Sequence, residues 1–245
     1  IQIHQKDYRN DPVVENSMNS IPKIDAVLEK TLGTHGFWAK RIRVNAVVSN
    51  ARHSGGVTLV GIEPDKEKAV SFIGDAVTQG RYLKKEDKNK ILVGRAFLKK
   101  FNTGIGKKLI LMSQDTENEI ASKAFRIVGV FTAESEGVEK QFAFVPLDQA
   151  ADMLKLSGSI SEISILLPDL EDERSAANVA QKITQLGTTP YEVNGQKFRL
   201  TISIGISVFP SDGDNFETLL KNADSAMYHA KNAGRNTFSF YTEDM

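Results

Sequence analysis

Cysteine is absent from this sequence. A disulfide framework, a thiol nucleophile and a thiolate zinc site are therefore excluded, and cysteine usage does not indicate a cellular compartment. Histidine is scarce as well, since the four histidines are scattered without the spacing of metal ligands, at His4, His35, His53 and His229. We expect neither a metal site nor a cofactor.

Net charge and long apolar runs are also missing. The 31 basic residues cancel the 31 acidic ones, whereas a general nucleic-acid binder carries a basic excess, so we expect no nucleic-acid partner. No apolar run approaches the roughly 18 residues of a membrane-spanning helix, and the start lacks the layout of a signal peptide. Because the first residue is Ile1 rather than Met, we interpret the chain as a segment of a longer protein.

The composition is that of a folded globular protein. Its 245 residues, 40% of them apolar and 25% charged, leave room for one large domain or two smaller ones, and we favour two. Up to residue 167, short strands and helices follow one another without regular βαβ order, which predicts a mixed sheet of the α+β class. The predicted strands are 41–48, 57–62, 90–93, 108–113, 124–132, 141–145 and 160–167, and the predicted helices are 21–32, 94–101 and one capped by Asp148.

The rest of the chain has a more regular pattern. An Asn-Gly pair between two strand-like runs is typical of a type I′ hairpin turn, and alternating apolar residues predict a half-buried strand. The expected elements are a helix over 171–185, a hairpin turned at Asn194-Gly195, one strand over 197–209, a helix with a capping box at Asp214 and Glu217 that ends at Gly234, and a closing strand near Phe238.

Two local patterns bear on chemistry, and neither predicts catalysis. The segment 104–108, Gly-Ile-Gly-Lys-Lys, is glycine-rich and basic, but it lacks the upstream glycine and the Ser or Thr of a Walker loop, so we interpret it as a turn. Paired carboxylates lie in polar turns and helix starts, where acids face water or the positive helix end. They are Glu134 with Glu136, Asp169 with 171–173, and Asp212 with Asp214. We expect no catalytic residue.

Two cations near the end of the last helix form the candidate binding site. Lys231 and Arg235 bracket the helix end and can hold a phosphate between them. The alternative is that both are there because cations are favourable beside the negative end of the helix dipole. Periodicity alone leaves both interpretations open.

A set of moderately specific blocks spans the first two thirds of the chain, at 1–4, 61–64, 91–98, 104–111, 125–131 and 144–147. Over about residues 1–165 they resemble the MacB-like periplasmic core domain of lipoprotein-releasing and efflux ABC permeases. The resemblance implies a non-enzymatic domain on the periplasmic face of the inner membrane. Its implied partners are a lipoprotein or adaptor protein, a partner permease subunit and, through membrane segments missing here, an ABC ATPase.

The end of the chain is similar to another family. The blocks 201–207, 222–228 and 230–236 resemble the C-terminal half of a GGDEF (diguanylate cyclase) domain over about 185–245. That resemblance implies a hairpin, a long helix and a closing strand, a cytoplasmic location, and contact of Lys231 and Arg235 with the GTP triphosphate. The alternative function is therefore a degenerate signalling module that binds GTP or cyclic di-GMP weakly.

The sequence departs from a cyclase where the metal would bind. It contains neither the Gly-Gly-Asp/Glu-Glu-Phe hairpin nor the aspartate of the preceding first strand. Without carboxylates to hold magnesium, nothing neutralises the phosphates or activates the attacking hydroxyl, so no cyclase activity is expected.

The two resemblances meet in a segment that fits both families. We expect a permease-type domain over 1–165 and a GGDEF-like fragment over 166–245, with the junction inside 163–190, because 163–185 has the strand, Leu-Pro-Asp turn and helix of either family. The two families work in different compartments, and we favour a recombinant fusion, or a chimera grafted at this shared strand–helix unit, as the explanation.

Overall fold

The computed structural model describes residues 2–4, 14, 17–18, 24–32, 36–133, 135–156, 158–166, 173–188, 191–193, 196–198 and 201–245. The chain divides into two compact units. The described parts of Asn10–Ser20 and Ala39–Glu162 form one, here called the barrel unit, and those of Ile1–Arg9, Ile21–Trp38 and Ile163–Met245 form the other, the terminal unit. The sequence analysis expects a boundary between the permease-type and the GGDEF-like parts at residues 165 and 166. This boundary between families is not the boundary between the two compact units, and it stays a prediction.

Strands and short helices follow one another along the whole chain. In order they are β1 (Gln2–His4), α1 (Ile24–Leu32), β2 (Phe37–Ser49), β3 (Ser54–Ile62), α2 (Pro64–Val70), a 3₁₀ turn (Phe72–Gly74), β4 (Val77–Gly80), β5 (Lys90–Gly94), α3 (Arg95–Phe101), β6 (Lys108–Gln114), β7 (Ile120–Phe131), α4 (Glu136–Gln141), β8 (Phe142–Pro146), α5 (Leu147–Met153), β9 (Glu162–Leu166), α6 (Glu173–Thr188), β10 (Tyr191–Val193), β11 (Gln196–Phe198), β12 (Ile204–Ile206), α7 (Phe216–Asn232) and β13 (Phe238–Phe240). The α+β class predicted from the sequence is confirmed.

Six strands of the barrel unit pair in a closed circuit. β2 pairs with β3, β3 with β8, β8 with β5, β5 with β7, β7 with β6, and β6 returns to β2. Alternate residues of each strand point inward, so an apolar-alternating sequence fills the interior of such a barrel. One buried cluster contains the inward residues Val44, Val48, Leu59, Ile91, Leu111, Phe125 and Val145, with Phe97 and Phe101 of α3. The two phenyl rings stack with centroids 4.3 Å apart.

The terminal unit is built from short strands and longer helices. β12 and β13 are parallel, with Ile204 opposite Phe238, and β10 and β11 are antiparallel. α7 packs on both β12 and β13, and α6 contacts the same pair of strands. The buried residues Ala226, Met227 and Ala230 of α7 lie at helical spacing and so share one side of the helix.

Three detailed predictions are wrong. Asp148 lies in the first turn of α5 and is not its cap, because α5 begins directly after Pro146. Asn215 rather than Asp214 caps α7, since its side-chain oxygen accepts a 2.9 Å hydrogen bond from the amide of Thr218. The single strand expected over 197–209 is two strands in separate sheets, β11 and β12. The Asn194-Gly195 turn lies outside the described residues.

Candidate functional site

A glycine brings α7 directly onto β12. A methyl group added at Gly205 would lie 1.9 Å from the carbonyl oxygen of Ala223 and 2.3 Å from the amide nitrogen of Met227. Both atoms belong to the helix backbone, so only glycine allows this approach. The central glycine of the block 201–207 therefore has a packing role, and it fixes the helix that carries Lys231.

α7 ends in a turn of three consecutive residues in the left-handed region. Gly234, Arg235 and Asn236 have φ values of 115°, 63° and 50°. The amide of Arg235 donates to the carbonyl of Ala230 at 3.3 Å, and the side-chain oxygen of Asn236 accepts from the amide of Ile202 at 3.4 Å. Left-handed residues after a helix are typical of a Schellman-like end. The block 230–236 thus ends α7 and ties it back to the chain before β12.

The two predicted phosphate ligands have different surroundings. Arg235 is exposed to solvent just beyond α7, whereas the ammonium nitrogen of Lys231, in the last turn of α7, is shielded from solvent. An anion can therefore meet Arg235 directly, but Lys231 must extend outward before it can contact the same anion. Their joint role as a phosphate site stays a prediction.

The acidic residues before α7 have structural partners. The Asp212 carboxylate accepts a 2.7 Å hydrogen bond from the amide of Val208, and the Asn222 side chain donates to the carbonyl of Asp212 at 2.7 Å. The Asp214 carboxylate accepts from the Asn215 side chain at 2.9 Å. These bonds close the loop between β12 and α7.

The other carboxylate pairs form no site in the described part of the chain. Glu136 makes an exposed ion pair with Lys140 at 2.6 Å. Lys140 also holds the pKa of Glu136 below its usual value. Glu134, Asp169, 171 and 172 lie outside the described residues, as does the side chain of Glu173.

The segment 104–108 is a turn, as predicted. Gly106 has a φ of 82°, a backbone conformation that favours glycine, and its amide donates to the carbonyl of Ile127 at 2.8 Å. The carbonyl of Gly106 in turn accepts a 2.6 Å hydrogen bond from the guanidinium of Arg126. The turn therefore joins α3 to β6 and places Lys107 and Lys108 beside β7.

Sequence reasoning missed a buried ion cluster in the barrel unit. The Arg41 guanidinium donates to Glu67 of α2 at 2.6 and 3.0 Å and to Glu162 at 3.0 Å. Both carboxyl side chains are 1% exposed. Burial alone would lower the pKa of Arg41, but the two carboxylates outweigh it and keep the pKa above its usual value. The three residues are separated by 26 and 121 positions, so no local spacing signals the cluster.

Tyr82 adds a polar group to the same region. Burial, together with the charge of Glu67, raises the pKa of the Tyr82 phenol above its usual value. Its hydroxyl is buried without a hydrogen-bond partner among the described residues, and the Lys68 ammonium lies 5.1 Å from its ring centroid. The Arg41 guanidinium is bonded to both carboxylates, whereas the Tyr82 hydroxyl is buried without such a bond, and a buried unpaired hydroxyl costs stability.

A second missed cluster lies in the turn between β6 and β7. The carboxylates of Asp115, Glu117 and Glu119 approach within 4.8 Å of one another. The Lys155 ammonium lies among them, 2.9 Å from Asp115 and 3.7 Å from Glu119, and it also contacts Glu117. Its hydrogen bond lowers the pKa of Asp115 below the usual value. Lysine thus takes the position that a cation would need, and the alternating acids 115, 117 and 119 were the available sequence signal.

The geometry defines an α+β protein in which a closed six-stranded barrel interrupts the sequence of a second unit that ends in β12, α7 and β13. No helix in the described residues has both the length and the apolar character needed to cross a bilayer. The chain belongs to the family of MacB-like periplasmic core domains, whose family model matches residues 4–186. A second family model, diguanylate cyclase GGDEF domain, matches residues 154–237.

Solved structures share the fold. The periplasmic region of MacB from Actinobacillus actinomycetemcomitans is 14% identical, with a TM-score of 0.53 over 76% of this chain and 82% of that one. The extracellular domain of the noncanonic ABC-type transporter YknZ, from Gram-positive bacteria, is 14% identical with a TM-score of 0.50, over 76% of this chain and 92% of that one. At this identity, the likeness concerns the fold.

Two curated relatives match a third of the chain or less. The bifunctional diguanylate cyclase/cyclic di-GMP phosphodiesterase MucR of Pseudomonas aeruginosa is 38% identical over 81 residues, which are 33% of this chain and 12% of that protein. The biofilm architecture maintenance protein MbaA of Vibrio cholerae is 56% identical over 46 residues, 19% of this chain and 6% of that protein. The chain thus spans about an eighth or less of these two relatives.

The two family matches overlap from residue 154 to residue 186. This shared segment contains β9 and most of α6, the strand and helix that the sequence analysis assigns to either family. The chain therefore joins a MacB-like periplasmic core domain to a GGDEF-type segment.

Proposed function

We propose that this chain is a non-enzymatic extracytoplasmic module of an ABC transporter permease, which contacts a substrate protein or partner subunit and couples that contact to transport. The observation that carries the proposal is its membership of the MacB-like periplasmic core family, whose model matches three quarters of the chain. The partners follow from the same membership: a lipoprotein or adaptor protein, a second permease subunit, and an ABC ATPase reached through membrane segments.

The chemistry of the barrel unit supports a binding role. Its interior is filled with apolar side chains, and three of its buried charged residues, Arg41, Glu67 and Glu162, are engaged with one another. A catalytic acid or base needs to reach a substrate, whereas a charge held inside an ion cluster is unavailable for proton transfer. A rigid barrel instead presents a fixed outer surface, which suits the binding of a partner and the relay of motion.

Extracytoplasmic placement predicts the outcome of a topology experiment. Alkaline phosphatase is active only outside the cytoplasm, and a green fluorescent protein exported in unfolded form is dark. With either reporter fused after Met245 in the natural gene, we expect active phosphatase and no fluorescence. An inactive phosphatase fusion together with a fluorescent green fluorescent protein fusion would contradict the proposed placement. A phosphatase fusion to a known cytoplasmic protein is the control.

The GGDEF-type match supports a second candidate, a nucleotide-binding signalling module without cyclase activity. It rests on residues 154–237 and on Arg235, which is exposed at the end of α7. Glu162 is the first residue of β9. Its carboxylate is buried and bonded to Arg41, so it is not free to bind magnesium. Cyclase turnover therefore remains unexpected even if a nucleotide binds.

Calorimetry with GTP and magnesium separates the two candidates. We expect no measurable heat from the natural chain, because the ammonium of Lys231 is shielded from solvent and the group of possible metal ligands found among the described residues is Asp115, Glu117 and Glu119, not residues around Arg235. Micromolar binding that Lys231→Ala and Arg235→Ala each abolish would favour the signalling module. A Lys221→Ala variant, which removes an exposed cation from the opposite half of α7, is the matched control.

A further inference from the structure

Three cations lie side by side on the outside of the barrel. In the strand register, Arg126 of β7 is directly opposite Lys108 of β6 and directly opposite Lys90 of β5. Directly paired residues share one face of a sheet, and neighbouring strands are about 4.8 Å apart, so the three attachment points span roughly 10 Å. Leu109, Phe125 and Ile91, their sequence neighbours, point into the barrel core. We call Lys90, Arg126 and Lys108 the basic row.

The basic row is not neutralised within the described part of the chain. Arg126 and Lys108 are exposed and Lys90 is partly exposed, and no described carboxylate forms an ion pair with them. Asp87, whose carboxyl does interact with Lys90 through space, is bound through both oxygens to Arg81 at 2.7 Å. The Arg126 guanidinium has one nitrogen fixed on the carbonyl of Gly106, which leaves its other donors free to point outward.

The basic row lowers the stability of the isolated protein. Like charges that face each other directly across strands destabilise a sheet. The two segments of the barrel unit, Asn10–Ser20 and Ala39–Glu162, contain 20 basic and 17 acidic residues, although the whole chain is neutral. The net positive charge of the unit therefore adds to the positive potential of the basic row. A cost of this kind is typical of binding surfaces, where stability is given up for function.

The surface beside the basic row is apolar. The next pair of outward residues on β6 and β7 is Ile110 opposite Ala124, and Ile110 is 45% exposed. Ile105, in the turn before β6, is also 45% exposed. The outer face of the barrel thus has cations at strand spacing with apolar side chains beside them, and it complements the carboxylates and apolar side chains of a protein segment. A lipid surface needs no such fixed spacing and is usually bound by protruding apolar groups and mobile lysines.

We propose that the basic row and Ile110 form a docking surface for an acidic segment of a partner protein. The inference rests on the proposed function, because it assigns a chemistry to the protein partner of the extracytoplasmic module. Arg126 would bind a carboxylate through its free guanidinium donors, Lys90 and Lys108 would bind carboxylates on either side, and Ile110 would cover an apolar side chain.

Charge reversal tests the surface with the full chain. The row variant is Lys90→Glu/Lys108→Glu, which keeps the hydrogen bond from Arg126 to Gly106. The matched control is Lys99→Glu/Lys100→Glu, two exposed lysines of α3 in the same unit whose reversal changes the net charge equally. The probe is fluorescent poly-L-glutamate, titrated at low and at physiological salt by anisotropy. Parallel titrations use vesicles of phosphatidylcholine with and without phosphatidylglycerol.

We expect the natural chain to bind poly-L-glutamate, the row variant to bind at least about tenfold more weakly, and the control to change affinity by less than about threefold. We also expect the row variant to unfold at higher urea than the natural chain, because Arg126 would then face two acids. Equal losses in both variants, no binding by the natural chain, or binding to anionic vesicles alone would overturn the proposal. The reporter fusions test the extracytoplasmic placement separately. The proposed function and the docking surface can therefore fail independently of each other.

Discussion

Arg41→Met is expected to destabilise the protein by about 3–5 kcal/mol, because it leaves the Glu67 and Glu162 carboxylates buried without their cation. With a urea m-value of roughly 2 kcal/mol/M, the unfolding midpoint would fall by about 2 M. Far-ultraviolet circular dichroism during urea unfolding measures this shift. Arg52→Met, at an exposed position in the turn between β2 and β3, is the matched control and should change stability by less than about 0.5 kcal/mol.

A triple variant separates the ion cluster from simple packing. In Arg41→Met/Glu67→Leu/Glu162→Leu, apolar side chains replace the whole cluster, and such replacements are often neutral or stabilising. We expect the triple variant to recover most of the stability that Arg41→Met loses. If the triple variant is as unstable as Arg41→Met, the loss of stability comes from altered side-chain packing rather than from the unpaired carboxylates. If Arg41→Met alone is harmless, water or a rearranged lysine must replace the arginine.

The sequence predicted most of the barrel because its strands carry local signals. Alternation in β2, the glycine-containing turn at 104–106 and the apolar run of β5 each constrain the backbone within a few residues. Closure of the six strands into a barrel was not predicted, because it depends on the pairing of β6 with β2, whose residues 110–112 and 47–49 are far apart in sequence. Register between distant strands has no local signature.

The helix caps and ion clusters also separate what local sequence predicts from what only the fold decides. The sequence correctly predicts that α7 begins near 214, but Asp214 and Asn215 are both good caps, and only the backbone geometry decides in favour of Asn215. Arg41, Glu67 and Glu162 come from separate elements, so each looks like an ordinary charged residue until the fold brings them together. Lys231 and Arg235 stand out in the sequence because they bracket the end of the last helix, and only the resemblance to the GGDEF family adds the expectation that they contact a nucleotide phosphate.

Gly205→Ala is expected to destabilise the terminal unit by about 3 kcal/mol. The added methyl group would overlap the Ala223 carbonyl oxygen and the Met227 amide nitrogen, which are backbone atoms that cannot move unless α7 shifts away from β12. That shift would also pull on the left-handed turn that holds Arg235 after the helix. The chain has a single tryptophan, Trp38, which is the last residue of the terminal unit's segment Ile21–Trp38 and lies near the start of β2. Its fluorescence during urea unfolding therefore reports on the terminal unit together with the start of this strand.

Gly56→Ala is the matched control for this substitution. Gly56 also lies in a strand, β3, but a methyl group added there meets nothing within 4 Å. We expect Gly56→Ala to change the midpoint little or to raise it slightly, because alanine reduces the freedom of the unfolded chain. An unchanged Trp38 transition in Gly205→Ala would mean that α7 does not depend on this contact. In that case the block 201–207 would owe its likeness to the GGDEF family to a role other than helix packing.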